Sequence, residues 1–367
     1  MNAIEAQSRI EALFQRTVNR DPLIRNAYFL VHSERLGVHL KLAEGSDRAA
    51  PVHEDQPYYI ASVSKLFAAV LCARLVEEGL LGFDDPISDY LDPELLRGLH
   101  LYKGQDFGNA IRVKHLLNHS SGLNDFFEDK PKGEASMLEL IFGNAQRGWT
   151  PREMVEWTKT RLKNHFPPGA GFHYSDTGYH LLGMALEQAA GKPYHELLRR
   201  HLFEPLDMKQ TWFSRYSEPI EQSNGSPPLA RLYNRNRDVT ELESLSFMYA
   251  GGGVVSTTAD QLKLMKALVE HRIVGETTLA KMKSERGRFF PGIDCGYGLM
   301  IIKPMFLLMP GKYSSWGNMG TSGSWLFYHP ETDAYLIGGL NQFRYNRKGL
   351  RLMFKAIDIL RRCDRQR

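Results

Sequence analysis

Apolar positions recur at helical spacing at the start of the chain, where Ile4, Ile10, Leu13, Phe14 and Val18 fall along one side of an amphipathic helix. The rhythm then shortens. AYFLVHSERLGVHLKLAEG carries β-branched and aromatic residues on both sides of a tight turn, which predicts two neighbouring strands. Helical spacing returns in YIASVSKLFAAVLCARLVEEGLLGFDDPISDYL, with Val63, Phe67, Val70, Leu71 and Leu75 as the buried stripe and Gly79 as the stop. Further on, VKHLLNHSSGL, MVEWTKTRL, GYHLLGMALEQAAG and YHELLRRHLF read as helical segments, punctuated by FPPGAG and SNGSPP. Strand-like runs reappear late, as GGGVVST, YGLMIIKP, GSWLFYHP and AYLIGGLNQ. The chain closes on RYNRKGLRLMFKAIDILRRCDRQR. There Leu350, Met353, Ile357 and Leu360 share a helical face, and Lys348, Arg351, Lys355 and Arg362 lie largely off it.

Strands at both ends of a helical middle predict an α+β fold, one sheet assembled from distant segments. The expected organisation is a sheet subdomain from residues 1–84 and 241–367, with a helical subdomain, 85–240, inserted beside it. Clefts between such parts are where small molecules bind.

Composition narrows the classes. A chain of 367 residues with 43% hydrophobic and 24% charged residues reads as an ordinary soluble globular protein. A formal net charge of +4, with no aromatic-basic stripe, argues against nucleic acid as a partner. Cys72, Cys295 and Cys363 are widely spaced with no C-x-x-C pair, which speaks against a disulfide scaffold or a cysteine zinc site. The first residues lack a basic-then-apolar signal pattern, and no apolar run approaches membrane-spanning length, so the expected compartment is the cytoplasm, with no membrane partner.

Ser62 and Lys65 stand one turn apart at a helix start. A serine in the first turn lies at the positive end of the helix dipole, and a lysine at i+3 reaches its hydroxyl. A lysine depressed by burial can take a proton and turn an alcohol into a nucleophile. Taken alone, the pair is better read as a capping serine with a surface lysine.

Two further stretches change the weighing. PPGAGFHYSDTGYHLLG places Tyr174 and Asp176 in a loop before a helix, and WGNMGTSGSWLFYHPETDAYLIGGLNQ forms a glycine-rich strand region late in the chain. Ser-x-x-Lys, then Tyr-x-Asp, then a Gly-rich strand resembles the serine β-lactamase and penicillin-binding-protein superfamily. The branch it most resembles is the class C β-lactamase-like one, with its carboxylesterases, D-aminopeptidases and D-alanyl-D-alanine carboxypeptidases. The resemblance implies an antiparallel sheet flanked by helices with an all-helical subdomain beside it, and no metal or cofactor. It casts Ser62 as the acylated nucleophile, Lys65 as its proton partner and Tyr174 as the general base or proton shuttle. The backbone N–H groups of Ser62 and Thr321 become the oxyanion hole, with Gly320 and Gly323 letting the strand approach substrate. A free phenol ionises near ~10, so Tyr174 is expected to be lowered by the Lys65 ammonium.

The sequence departs from the family pattern twice. Asp176 stands where asparagine is usual, and a carboxylate there would hold Lys65 protonated, leaving the base role to Tyr174. Asn318-Met319-Gly320 replaces Lys-Thr-Gly or its histidine variant. Asparagine offers hydrogen bonds without the charge that grips a substrate carboxylate. Arg344, just past the last strand, is either a second cation for that pocket or a solvated loop arginine. The expected activity is therefore serine hydrolysis through an acyl-enzyme on small neutral esters. The alternatives are β-lactamase, D-amino-acid peptidase or penicillin-binding activity on amides and lactams, and a non-catalytic homologue that binds a partner.

Other constellations stay structural. His195 and His201 lie about 240° apart around a helix and cannot share a metal. His115 and His119, at i and i+4, lack a third ligand, so a helix end packed on the active-site cleft is expected there. Neither H-E-x-x-H nor G-x-S-x-G occurs.

Overall fold

The computed structural model describes all residues except 48–49, 222–224, 307–308 and 365–367. The beginning of the SNGSPP punctuation, at Ser223 and Asn224, and the final Arg-Gln-Arg of the basic terminal stretch lie outside the described residues.

A nine-stranded antiparallel sheet joins the two ends of the chain. Its order is Gly287–Phe290, Ile293–Cys295, Met300–Ile302, Ser315–Met319, Trp325–His329, Ala334–Gly339, Asn26–Ser33, Val38–Asp47 and Ala50–Pro51. The long-range step pairs Tyr28 with Gly339 and Val31 with Leu336. Side chains alternate between two cores, as a period of two requires. Phe29, Val31, Trp325, Phe327 and Leu336 face the terminal helices Ala3–Asn19 and Asn346–Asp364, where Ile10, Phe14, Met353, Ile357 and Leu360 meet them. Tyr28, Leu30, Leu326 and Ile337 belong to the other core, shared with the helices Ser64–Glu77 and Thr258–Val269.

The Ser64–Glu77 helix differs from the striped helix expected. Every residue from Ser64 to Ala73 is buried, because the sheet packs one side and the helices Asp176–Ala190 and Tyr194–Leu198 pack the other. A helix apolar all round is a central one. It ends as expected, with Gly79 in the left-handed region (φ +75°) after Glu77. The expected helical segments between residues 85 and 240 include Val113–Leu117, Pro151–Arg161, Asp176–Ala190 and Tyr194–Leu198.

One late strand belongs elsewhere. Val254–Ser256, from GGGVVST, is the middle of a separate three-stranded sheet with Tyr58–Tyr59 and Trp212–Phe213. Gly253 explains the diversion: a Cβ there would lie 2.1 Å from the Met248 carbonyl oxygen, so the chain turns tightly just before the strand. Thr257 then caps the next helix by accepting from the Asp260 amide. Among the described residues, no helix is long and apolar enough to cross a membrane.

Candidate active site

Ser62 sits in a short 3₁₀ turn, Ala61–Val63, that leads into the central helix. Ala61 takes φ +46°, an uncommon conformation for a residue with a side chain and one found at tightly held functional turns. The turn is clamped from two directions. The Ile60 amide donates to the Val254 carbonyl at 3.2 Å, and the Ser324 hydroxyl donates to the Ile60 carbonyl at 2.6 Å. The Ser322 hydroxyl donates to the Tyr59 carbonyl at 3.0 Å. Gly320 is required for this approach, since a Cβ there would lie 2.5 Å from the Ile60 oxygen and 3.0 Å from the Ala61 Cβ.

Lys65 is only 1% exposed. Its Nζ donates to Ser62 Oγ at 3.3 Å and to the Gly251 carbonyl at 2.8 Å, and it forms an ion pair with Asp176. Three donors meet three acceptors, so the site is built around the ammonium form. Gly251 permits the arrangement: a Cβ would stand 2.7 Å from Asp176 Oδ1 and 3.2 Å from Lys65 Nζ. Asp176 opens the helix Asp176–Ala190, whose preceding residue Ser175 caps it by accepting from the Gly178 amide at 3.0 Å. The Asp176 amide in turn donates to Asp125 Oδ1 at 2.9 Å. Asp125 also accepts from the Phe127 and Glu128 amides, and burial and the neighbouring Asp176 push its carboxyl well above the usual range.

Tyr174 is part-buried, with Lys65 Nζ 5.0 Å from its ring centre. His119 stacks on it at 4.2 Å, and His119 Nδ1 accepts from the Ser175 amide at 3.1 Å. The expected packing of this helix end against the cleft is what the structure contains, with His119 directly against the tyrosine. Burial, then Lys65, hold His119 well below the ordinary imidazole range, so it is neutral. Tyr174 departs from the expectation that Lys65 would lower it. Burial, followed by the Asp176 carboxylate, pushes its phenol well above the ordinary value, against a hydrogen bond with Ser62 that acts the other way. The reason is geometric: the Lys65 charge is neutralised by Asp176 and cannot act undivided on the phenol.

These groups open on a cavity of about 490 Å³. Ser62, Tyr174, Asp176, Gly320 and Thr321 line it, as do Phe127, Phe142, Phe247, Phe289 and Phe343. Two expected substrate-binding residues do not. Asn318 is buried, its Nδ2 donating to the Gly298 carbonyl at 2.8 Å and its Oδ1 accepting from the Met319 amide at 2.7 Å. Arg344 points its guanidinium at Glu128, 3.1 Å away and exposed, while its amide donates to the Thr321 carbonyl at 2.6 Å. Arg288 was missed. It lines the cavity from the edge strand Gly287–Phe290 and has no ion-pair partner among the described residues. No spacing signal marks it, because only the fold of the sheet brings that hairpin to the cavity.

Known proteins resemble this chain in sequence and fold. The D-amino acid amidase of Ochrobactrum anthropi SV3 superposes with a TM-score of 0.74 at 28% identity, over 95% of this chain and 99% of that one. The D-alanyl-D-alanine-carboxypeptidase/endopeptidase AmpH of Escherichia coli is 27% identical over 58% of this chain and 49% of its own length. Esterase EstB of Burkholderia gladioli is 27% identical over 62% of this chain and 58% of its own. The chain spans about half the length of the curated relatives it matches. Residues 21–355 match the Beta-lactamase family, and the chain belongs to that family, within the serine β-lactamase and penicillin-binding-protein superfamily.

Proposed function

We propose that this protein is a serine hydrolase that cleaves esters with an apolar acyl group through an acyl-enzyme on Ser62. The observation that carries it is Ser62 within reach of both Lys65 and Tyr174 at the mouth of a phenylalanine-lined cavity. The relatives named above, an esterase among them, support the reaction class.

In acylation the Ser62 oxygen bonds to the substrate carbonyl carbon, and its proton passes to the Tyr174–Lys65 pair. The amides of Ser62 and Thr321 stabilise the oxyanion. As the carbonyl–oxygen bond to the leaving group breaks, the same pair returns the proton to the departing alcohol. Water then repeats the sequence on the acyl group, releasing acid and free Ser62. At rest Lys65 is an ammonium and Tyr174 a neutral phenol, so the pair must first lose one proton to become the base. Asp176 keeps the ammonium in place and opposes ionisation of the phenol.

Arg288 favours a second reading, an amide or lactam that carries a carboxylate, because it supplies on the cavity wall the cation that Asn318 does not. Comparing kcat/KM for a neutral ester and its carboxylate analogue tests the two. Preference for the neutral ester supports the first reading. Preference for the anion, abolished by Arg288→Ala, supports the second. A non-catalytic homologue would turn over neither.

A further inference from the structure

We propose that Asp129, His165 and His173 form a site for a divalent transition ion of the zinc class beside the catalytic cavity. Asp129 Oδ2 lies 3.0 Å from His165 Nε2 and 3.0 Å from His173 Nε2. The two imidazoles stack with centres 3.6 Å apart and planes 25° apart, so both Nε2 atoms converge on one carboxylate oxygen. All three ligand atoms lie within 4.8 Å of one another. Ligands on one first-row ion, with bonds of about 2.0–2.2 Å, stand roughly 3.0–3.5 Å apart. The carboxylate oxygen already stands at such a distance from each imidazole nitrogen, so closing on an ion requires one ring to turn out of the stack to bring its lone pair onto it. Two imidazole nitrogens and one carboxylate select borderline ions over calcium or magnesium, and three protein ligands leave a position for water.

The backbone already holds each ligand. The His165 amide donates to the Gly122 carbonyl at 2.8 Å, and the His173 amide to the His119 carbonyl at 3.0 Å. The Asp125 amide donates to Asp129 Oδ2 at 2.9 Å. Three loop segments are thus tied at one point before any ion arrives. The side chains are 23%, 25% and 36% exposed for Asp129, His173 and His165, enough for an ion to reach them from solvent. His173 lines the cavity and directly precedes Tyr174, so an ion here ties the segment bearing that phenol to the turn bearing Asp125. Its role is positioning, and its existence does not depend on the reaction proposed above.

Neither sequence spacing suggests it, because the ligands are 36 and 8 residues apart and meet only through the loops. The test is titration of the full chain, stripped with chelator, with zinc chloride by calorimetry and with cobalt(II) by visible absorption. One equivalent should bind, with the d–d bands of a nitrogen- and oxygen-ligated cobalt ion. His165→Ala, at the most exposed ligand, should weaken binding at least about tenfold with an unchanged circular dichroism spectrum, and Asp129→Asn should do the same. His195→Ala, remote from the cluster, should bind like wild type. Absence of stoichiometric binding overturns the proposal. So does equal affinity in wild type and a folded His165→Ala.

Discussion

Lys65 and Asp176 form a buried ion pair within hydrogen-bond reach of Ser62, and in the proposed mechanism that pair sets the protonation state from which Ser62 must start. The lysine has no lone pair to offer while its three hydrogens are taken by Ser62, Gly251 and Asp176. Activity should therefore rise with pH as the Tyr174–Lys65 pair loses a proton. Asp176 disfavours ionisation of the phenol, so Asp176→Asn should shift the acidic limb of the kcat/KM profile to lower pH. A profile that stays in place would mean that the carboxylate has no part in setting the base.

The same pair has a structural role. Truncating one partner leaves a buried charge without compensation, a loss of about 3–5 kcal/mol. Asp176→Ala should lower the unfolding free energy by roughly that amount in urea, and Asp176→Asn by less, because an amide oxygen still accepts from Lys65.

Tyr174→Phe removes one hydroxyl and leaves the stacking on His119 intact. The account expects kcat to fall by about 10²-fold or more, with thermal stability close to wild type. Near-normal turnover would move the base role away from this residue.

Much of the architecture was legible because it rests on pattern. The alternation in Asn26–Ser33 and Ala334–Gly339 sorts side chains between two cores, and the stripe Leu350, Met353, Ile357 and Leu360 covers one of them. The hairpin of Gly287–Phe290 and Ile293–Cys295 was not, since its strands are short and Arg288 interrupts any apolar run. Ser62, Lys65 and Tyr174, which the fold brings into contact, could be singled out from local motifs. The aromatic wall could not, because Phe127, Phe142, Phe247, Phe289 and Phe343 come from segments related only by tertiary packing.

Substrate charge should follow Arg288 and not position 318. Asn318 has both polar atoms engaged and lies off the cavity, so Asn318→Lys should destabilise the fold without raising activity on anionic substrates. Arg288→Ala should lower kcat/KM for a carboxylate-bearing substrate about tenfold relative to its neutral analogue, a step of ~1.4 kcal/mol. Arg344→Ala should leave that ratio unchanged, since its guanidinium is turned to Glu128.

Gly251 offers a probe that removes no reacting side chain. An added methyl at Gly251→Ala would press on Asp176 Oδ1 and Lys65 Nζ together. Both stability and kcat should fall, measured by thermal melting and by steady-state hydrolysis. A fully active and equally stable variant would show that the pair tolerates separation.

The central claim is a covalent intermediate on Ser62. Its most direct measurement is the intact mass of the protein after reaction with a fluorophosphonate, followed by peptide mapping. The account predicts a single adduct on the peptide containing Ala61-Ser62-Val63-Ser64-Lys65, at Ser62 and absent in Ser62→Ala. An adduct at another residue, or an unmodified protein that still hydrolyses esters, would contradict it.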